Sequence, residues 1–166
     1  GERVLVVGIG GGVSTAALVV ARAMGATVYV TSRDPEKRAR AVALGAEDAF
    51  ASDEDWPVRC EVVVESVGPA TWDRSIGALA PGGRLAVCGG TSGTQVEINI
   101  PRLFFKQYEI IGSTMGGYGE FAAVTRLVDQ GLPVVVDQEF DLADYPDALA
   151  RLEAGQQLGK VVLHHR

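Results

Sequence analysis

Two cysteines and two histidines in 166 residues leave little from which to build a disulfide framework or a metal site. Cys60 and Cys88 stand apart beside strand-like runs and read as reduced thiols in the core or at a site edge. Basic residues are outnumbered, 15 Lys and Arg against 21 Asp and Glu, so the basic stripe of a nucleic-acid surface is missing. No apolar stretch reaches the ~18 residues of a membrane span. Gly1-Glu2-Arg3 leads straight into a strand pattern, without the apolar core of a targeting leader. A cytoplasmic protein that engages neither nucleic acid nor membrane is the expectation. Aromatics are few, at 7%, but glycine is abundant: 21 residues, most of them just after apolar runs. Those are the places where turns meet ligands.

The richest such place is the beginning. Val4-Leu5-Val6-Val7 favours a strand, Gly8-Ile9-Gly10-Gly11-Gly12 a turn, and Ala17, Leu18, Ala21 and Met24 recur at helical spacing up to Gly25. Strand, glycine turn and helix bring a diphosphate to unpaired backbone N–H groups at a helix N-terminus, where the dipole also favours negative charge. Glycines let the backbone approach and adopt positive φ. The G-x-G-x-x-G fingerprint is imperfect, because Ser14 stands where a third glycine would be. Serine is small enough to preserve helix–sheet packing, and its hydroxyl could donate to a phosphate oxygen.

The pattern then alternates. Ala26 to Thr31 is a second strand; Asp34-Pro35-Glu36 reads as N-cap, first-turn proline and first-turn acid of a helix that stops at Gly45. Asp48 to Phe50 and Glu61 to Glu65 are strands, separated by an acidic surface turn from Ser52 to Trp56. A helix from Pro69 to Leu79 meets a sharp turn at Pro81-Gly82-Gly83, then a strand from Arg84 to Cys88. A loop with an extended piece around Val96 to Ile98, one helical turn from Leu103 to Lys106, a sixth strand from Glu109 to Ser113 and a helix from Tyr118 to Gln130 follow. The unbroken apolar runs suit strands buried on both faces. The expected fold is α/β: a six-stranded, doubly wound parallel sheet of Rossmann type over residues 1–132, with helices on both faces. Residues 133–166 add strand, helix (Tyr145 to Glu153) and strand (Lys160 to Leu163), which the sheet does not need and which want another surface to pack on.

Ligands of such sheets lie beyond the carboxyl ends of the strands. Gly8, Gly10, Gly11, Gly12 and Ser14 would hold phosphates. Ser66, Val67 and Gly68 would line the adenine edge, and Gly89, Gly90, Thr91, Ser113 and Thr114 the nicotinamide half. An NAD site places an acid at the end of the second strand to bind the ribose hydroxyls. Here Ser32-Arg33 stands there, with Lys37 a turn later, groups that suit a 2′-phosphate. The residues therefore predict NADP(H) over NAD(H).

The segments VLVVGIGGGVSTAAL, VTSRDPEKRARAVALGAEDAF, VVVESVG, LAPGGRLAVCGGTSG and IIGSTMG, in that order, resemble the cofactor domain of the medium-chain dehydrogenase/reductase superfamily. The zinc-type alcohol dehydrogenases and quinone oxidoreductases are the nearest in pattern. The resemblance covers nearly the whole chain and implies a nicotinamide-dependent oxidoreductase acting on an alcohol, aldehyde, ketone, quinone or activated C=C bond. It carries the glycine-turn role to Gly8, Gly11, Gly12, Val13 and, with a departure, Ser14, and the basic site to Ser32, Arg33 and Lys37. It further implies a homodimer paired through the sixth strand, Glu109 to Ser113, and a catalytic domain upstream of Gly1 to which residues 133–166 belong. Zinc ligands, where used, would come from that absent domain. Cys60, Cys88, His164 and His165 show no zinc spacing, so no metal and no catalytic residue is assigned to this chain. On its own it is expected to be inactive.

Three alternatives compete. A dinucleotide-sensing regulatory module would use the same sheet without chemistry. A serine hydrolase would use Ser14 in Gly12-Val13-Ser14-Thr15-Ala16, followed by Asp137 or Asp141 and His164 in hydrolase order, but it needs earlier strands to supply an oxyanion hole. A methyltransferase would want an acid where Ser32 stands.

Overall fold

A computed structural model of the chain describes residues 1–165. The elements, in order, are β1 (Arg3–Val6), α1 (Gly12–Ala23), β2 (Thr27–Ser32), α2 (Pro35–Ala43), β3 (Asp48–Ala51), β4 (Cys60–Glu65), α3 (Trp72–Gly77), β5 (Leu79–Val87), α4 (Ile100–Phe105), β6 (Glu109–Gly112), α5 (Tyr118–Asp129), β7 (Val136–Asp141), α6 (Tyr145–Glu153) and β8 (Lys160–His164). The first six strands form one sheet in the order β3-β2-β1-β4-β5-β6, every pair parallel. This is the doubly wound order, with its switch point between β1 and β4. Strands β7 and β8 pair in parallel as a separate two-stranded sheet.

Sequence dictates this locally. Asp34 caps α2, its carboxylate accepting from the amides of Glu36 at 2.8 Å and Lys37 at 3.4 Å, with Pro35 in the first turn. Because Val4–Val7 and Val62–Val64 are unbroken apolar runs, each strand feeds two cores. Val4, Val6, Val28 and Val30 pack with Leu18 of α1 and Ala41 of α2 on one side. Leu5, Val7, Val63 and Leu85 pack with Trp56, Trp72 and Leu79 on the other. Cys60 lies in the second core, where burial pushes its thiol up to about 11.

Several expectations are corrected. The Pro81-Gly82-Gly83 turn does not separate helix from strand: β5 begins at Leu79, and the register jumps from Cys60–Leu79 to Val62–Arg84, so the turn bulges out of a continuing ladder. Helix α3 is accordingly short. Trp56, read as part of a surface turn, is buried and donates its indole N–H to the Ala51 carbonyl at 3.0 Å. The first tail strand starts two residues later than the Val134 expected and runs on to Asp141.

The tail also packs against the sheet's own helices. Leu158 is 1% exposed and belongs to the core that holds Val4, Ile9 and Leu18. Asp137 accepts from Arg40 of α2 at 2.9 Å and Arg151 of α6 at 2.5 Å, its side chain fully buried between them. Truncating Leu158 to Ala should cost about 2–5 kcal/mol in denaturant unfolding, the range for a buried leucine. The two arginines and the Leu158 amide hold the Asp137 carboxyl at about 2, below its ordinary 3.8. A depressed carboxyl stabilises the fold above its unfolded pKa and loses that contribution as pH falls. Unfolding midpoints should therefore drop between about pH 4 and pH 2, and Asp137→Asn should lose the part of that slope that Asp137 supplies.

Candidate dinucleotide site

The glycine turn is fastened at its base. Thr31, at the end of β2, accepts from the Gly8 amide through Oγ1 at 3.0 Å and from the Ile9 amide through its carbonyl at 2.7 Å. Gly8 has φ +77° and Gly10 φ +151°, conformations that side chains resist. Ile9 turns into the core, so the chain reverses around a buried anchor. Gly11 is the N-cap of α1 and has no side chain with which to cap it. Among the described residues no side chain caps the first-turn amides at Gly12, Val13 and Ser14, which stand at the positive end of a twelve-residue helix. Val13 itself is exposed beside them.

Ser14 is buried. Its hydroxyl donates to the Gly11 carbonyl at 3.1 Å and accepts from the Gly10 amide at 3.2 Å, so it braces the turn from within. That corrects its reading as a phosphate donor and removes it as a nucleophile. The other members of the hydrolase reading lie elsewhere, His164 bonded to Glu139 at 2.6 Å and Asp137 to two arginines.

At the β2 end, Ser32 accepts from the Asp34 amide at 3.1 Å, and its carbonyl takes the Arg38 guanidinium at 2.7 Å. Arg33 is exposed next to it. Lys37 departs from expectation: its ammonium turns inward and donates to the Gly155 carbonyl of the tail at 2.5 Å. Burial lowers its pKa from the ordinary value. Lys37 is thus a clamp on the tail rather than a group facing the ribose.

The residue that pattern reasoning missed is Lys160. A Cβ added to Gly12 would sit 2.7 Å from both Cε and Nζ of this side chain, so its ammonium lies directly against the first residue of α1. The signal was present as Gly159-Lys160 opening a strand. Gly159 has φ +105°, and a Cβ there would meet the Val135 carbonyl at 2.3 Å.

The loops after β4 and β5 are built around a second buried group. Glu65 is fully buried and accepts from the amides of Val67 at 2.6 Å and Gly68 at 3.1 Å, from Thr71 Oγ1 at 2.9 Å and from Ser75 Oγ. Ser66 and Val67 carbonyls accept from the Thr91 and Ser92 amides at 3.2 and 2.7 Å, joining this loop to the one carrying Gly89 and Gly90. Gly68 and Gly90 allow the contact, since a Cβ on either would meet the Gly93 carbonyl at 3.0 or 2.5 Å. The Ser113 amide donates to the Val87 carbonyl at 2.9 Å, bringing Ser113 and Thr114 to the same edge of the sheet. Because the strands are parallel, the loops after β1, β2, β4, β5 and β6 lie at one rim of the sheet.

A zinc site does not fit this residue set. Cys60 opens β4 while Cys88 follows β5, at opposite ends of parallel strands. Among the described residues no group of three His, Cys, Asp or Glu could hold a metal ion.

Fold and rim together define a doubly wound α/β domain of Rossmann type. The family model of the zinc-binding dehydrogenases matches residues 12–130, and the chain belongs to that family, within the medium-chain dehydrogenase/reductase superfamily. It is 31% identical to an acryloyl-coenzyme A reductase of Metallosphaera sedula over 98% of this chain and 51% of that protein. With a quinone oxidoreductase of Pseudomonas aeruginosa it shares 28% identity, over 98% of this chain and 56% of the other. The crystal structure of an NAD-dependent alcohol dehydrogenase superposes with a TM-score of 0.89 at 34% identity, covering 100% of this chain and 52% of that one. The chain spans about half the length of the curated relatives it matches.

A Gly12→Val variant should leave the thermal midpoint within a few degrees. It should weaken nicotinamide dinucleotide binding by about a hundredfold or more in calorimetric titration, because the added side chain displaces Lys160 and covers the free amides.

Proposed function

We propose that this chain is the cofactor-binding part of an oxidoreductase that moves a hydride between a nicotinamide dinucleotide, NADPH in preference to NADH, and a carbonyl or alcohol, a quinone or an activated C=C bond. The observation that carries the reading is the uncapped α1 N-terminus at the switch point of the sheet, with Gly8 and Gly10 in positive φ and Lys160 alongside. Such a cradle fits a diphosphate. The amides of Gly12, Val13 and Ser14, with the Lys160 ammonium, would neutralise the diphosphate. Ser32 and Arg33 would take the 2′-phosphate, Arg33 as a planar donor free of other bonds among the described residues. The loops at Ser66 to Gly68, Gly89 to Thr91 and Ser113 to Thr114 would flank adenine and nicotinamide. The bound cofactor supplies the hydride, and the protein's part is to orient the nicotinamide and exclude water.

The choice between a carbonyl and a C=C acceptor would belong to a catalytic domain preceding residue 1, for which the greater length of the relatives leaves room, with residues 133–166 leading back to it. An exposed sixth strand, with Ile111 on its surface, is an edge that needs covering. Pairing of two copies through Glu109 to Ser113 would cover it.

Calorimetry with NADPH and NADH tests the cofactor assignment. NADPH should bind about tenfold or more tightly, and Arg33→Ala should abolish most of that difference, as expected for a charge-assisted contact worth about 1.5–3 kcal/mol. Tighter binding of NADH by the unaltered chain would overturn it.

A further inference from the structure

Asp137 lies far in sequence from the glycine turn, yet it holds the Leu158 amide, next to Gly159, whose own amide donates to the Gly10 carbonyl. It is the extra residue of a bulge: Val136 pairs with Lys160 and Gln138 with Val161, which leaves Asp137 outside the β7–β8 ladder. Bulges re-aim side chains. This one sends a carboxylate inward, where Oδ1 accepts from the Leu158 amide at 3.0 Å and from Arg40 Nη2 at 2.9 Å, and Oδ2 from Arg151 Nε at 2.5 Å. Two cations and a backbone amide satisfy a charge whose burial would otherwise be prohibitive.

What the carboxylate fixes is the short loop from Gly155 to Gly159. The loop is held at four points: Gly155 by Lys37, the Leu158 amide by Asp137, the Leu158 side chain by the core, and the Gly159 amide by the Gly10 carbonyl at 2.9 Å. Lys160 departs from that last point and reaches Gly12. The loop also contains a buried acceptor, Gln157 Oε1, with no partner among the described residues.

We propose that Asp137 is a positioning residue of the dinucleotide site: it holds the 155–159 loop so that the Lys160 ammonium stands over the α1 N-terminus and meets the cofactor's diphosphate. This rests on the dinucleotide reading above. A long, flexible lysine loses rotamer freedom when it binds a phosphate, and a fixed point of departure reduces that loss. Asp137 touches no part of the ligand. Its effect is carried through the Leu158 amide and the Gly159–Gly10 hydrogen bond.

The test is a double-mutant cycle on the 166-residue chain with Asp137→Asn, Lys160→Ala and the pair, each titrated with NADPH and with adenosine 2′-monophosphate, which has no diphosphate. Asp137→Asn should weaken NADPH about tenfold while leaving adenosine 2′-monophosphate within about twofold, and its effect should vanish in the Lys160→Ala background. Arg151→Gln, which removes one of the carboxylate's partners, should act in the same direction. The slope of log affinity against log salt should fall in Asp137→Asn as it does in Lys160→Ala, since both remove the same phosphate contact. Equal loss for both ligands, or a full Asp137→Asn effect persisting without Lys160, would mean a general loosening of the fold and overturn the proposal. Failure of the unaltered chain to bind NADPH or NADH would instead remove the dinucleotide reading itself. Near-ultraviolet circular dichroism at the titration temperature confirms that each variant is folded.

Discussion

The two hydrogen bonds by which Thr31 holds Gly8 and Ile9 are the constraint on which the site depends. They tie the turn after β1 to the end of β2, so the chain cannot continue straight and must reverse around buried Ile9. Gly10 and Gly11 then have one route into α1, and the helix begins with its amides facing the rim. The side of the turn away from Thr31 is closed by Val67, which would lie 2.8 Å from a Cβ on Gly8. Three adjacent strand ends, β1, β2 and β4, thus meet at a point where backbone rather than side chain is presented. Sheets of this order place their ligands there for that reason.

The buried polar groups divide the labour around this point. Glu65 arranges the loops after β4 and β5 by gathering two amides and two hydroxyls in a place closed to water. Asp137 arranges the tail by gathering two guanidinium groups and one amide. Each sits behind the rim rather than on it, and each is expensive to leave unsatisfied. The groups on the rim, Arg33, Val13 and Lys160, are exposed and make few contacts of their own. A rigid rear wall with lightly engaged front groups is what a site needs if it is to bind an anion without first breaking its own bonds.

Much of this was legible in the residues, for reasons that can be named. The apolar runs of β1 and β4 and the Asp34-Pro35-Glu36 cap are local signals, and the tertiary structure has no cause to override them. The glycine turn was legible because positive φ and close approach leave few substitutes. Pro81-Gly82-Gly83 misled because a bulge and a chain reversal use the same residues, and only the partner strand distinguishes them. Trp56 misled because the acidic residues Asp53, Glu54 and Asp55 before it hide a single inward side chain. The exchange of roles between Lys37 and Lys160 was beyond any local reading. One lysine follows the glycine turn in sequence and bonds to the tail; the other lies in the tail and rests against the turn. Sequence distance conceals that exchange.

The surface after β6 shows a second kind of dependence. Met115 is 90% exposed and Tyr118 96%, and Phe121 joins them on α5. They follow the β6 edge in sequence, where Ile111 is exposed as well.

The contact between Gly12 and Lys160 joins the beginning of the first helix to the beginning of the last strand. During synthesis on the ribosome the sheet can assemble from its own strands in order, but the start of α1 lacks its Lys160 neighbour until position 160 has cleared the exit tunnel. A nascent chain halted short of position 160 would therefore lack both the lysine beside Gly12 and the seating that Leu158 gives it in the core.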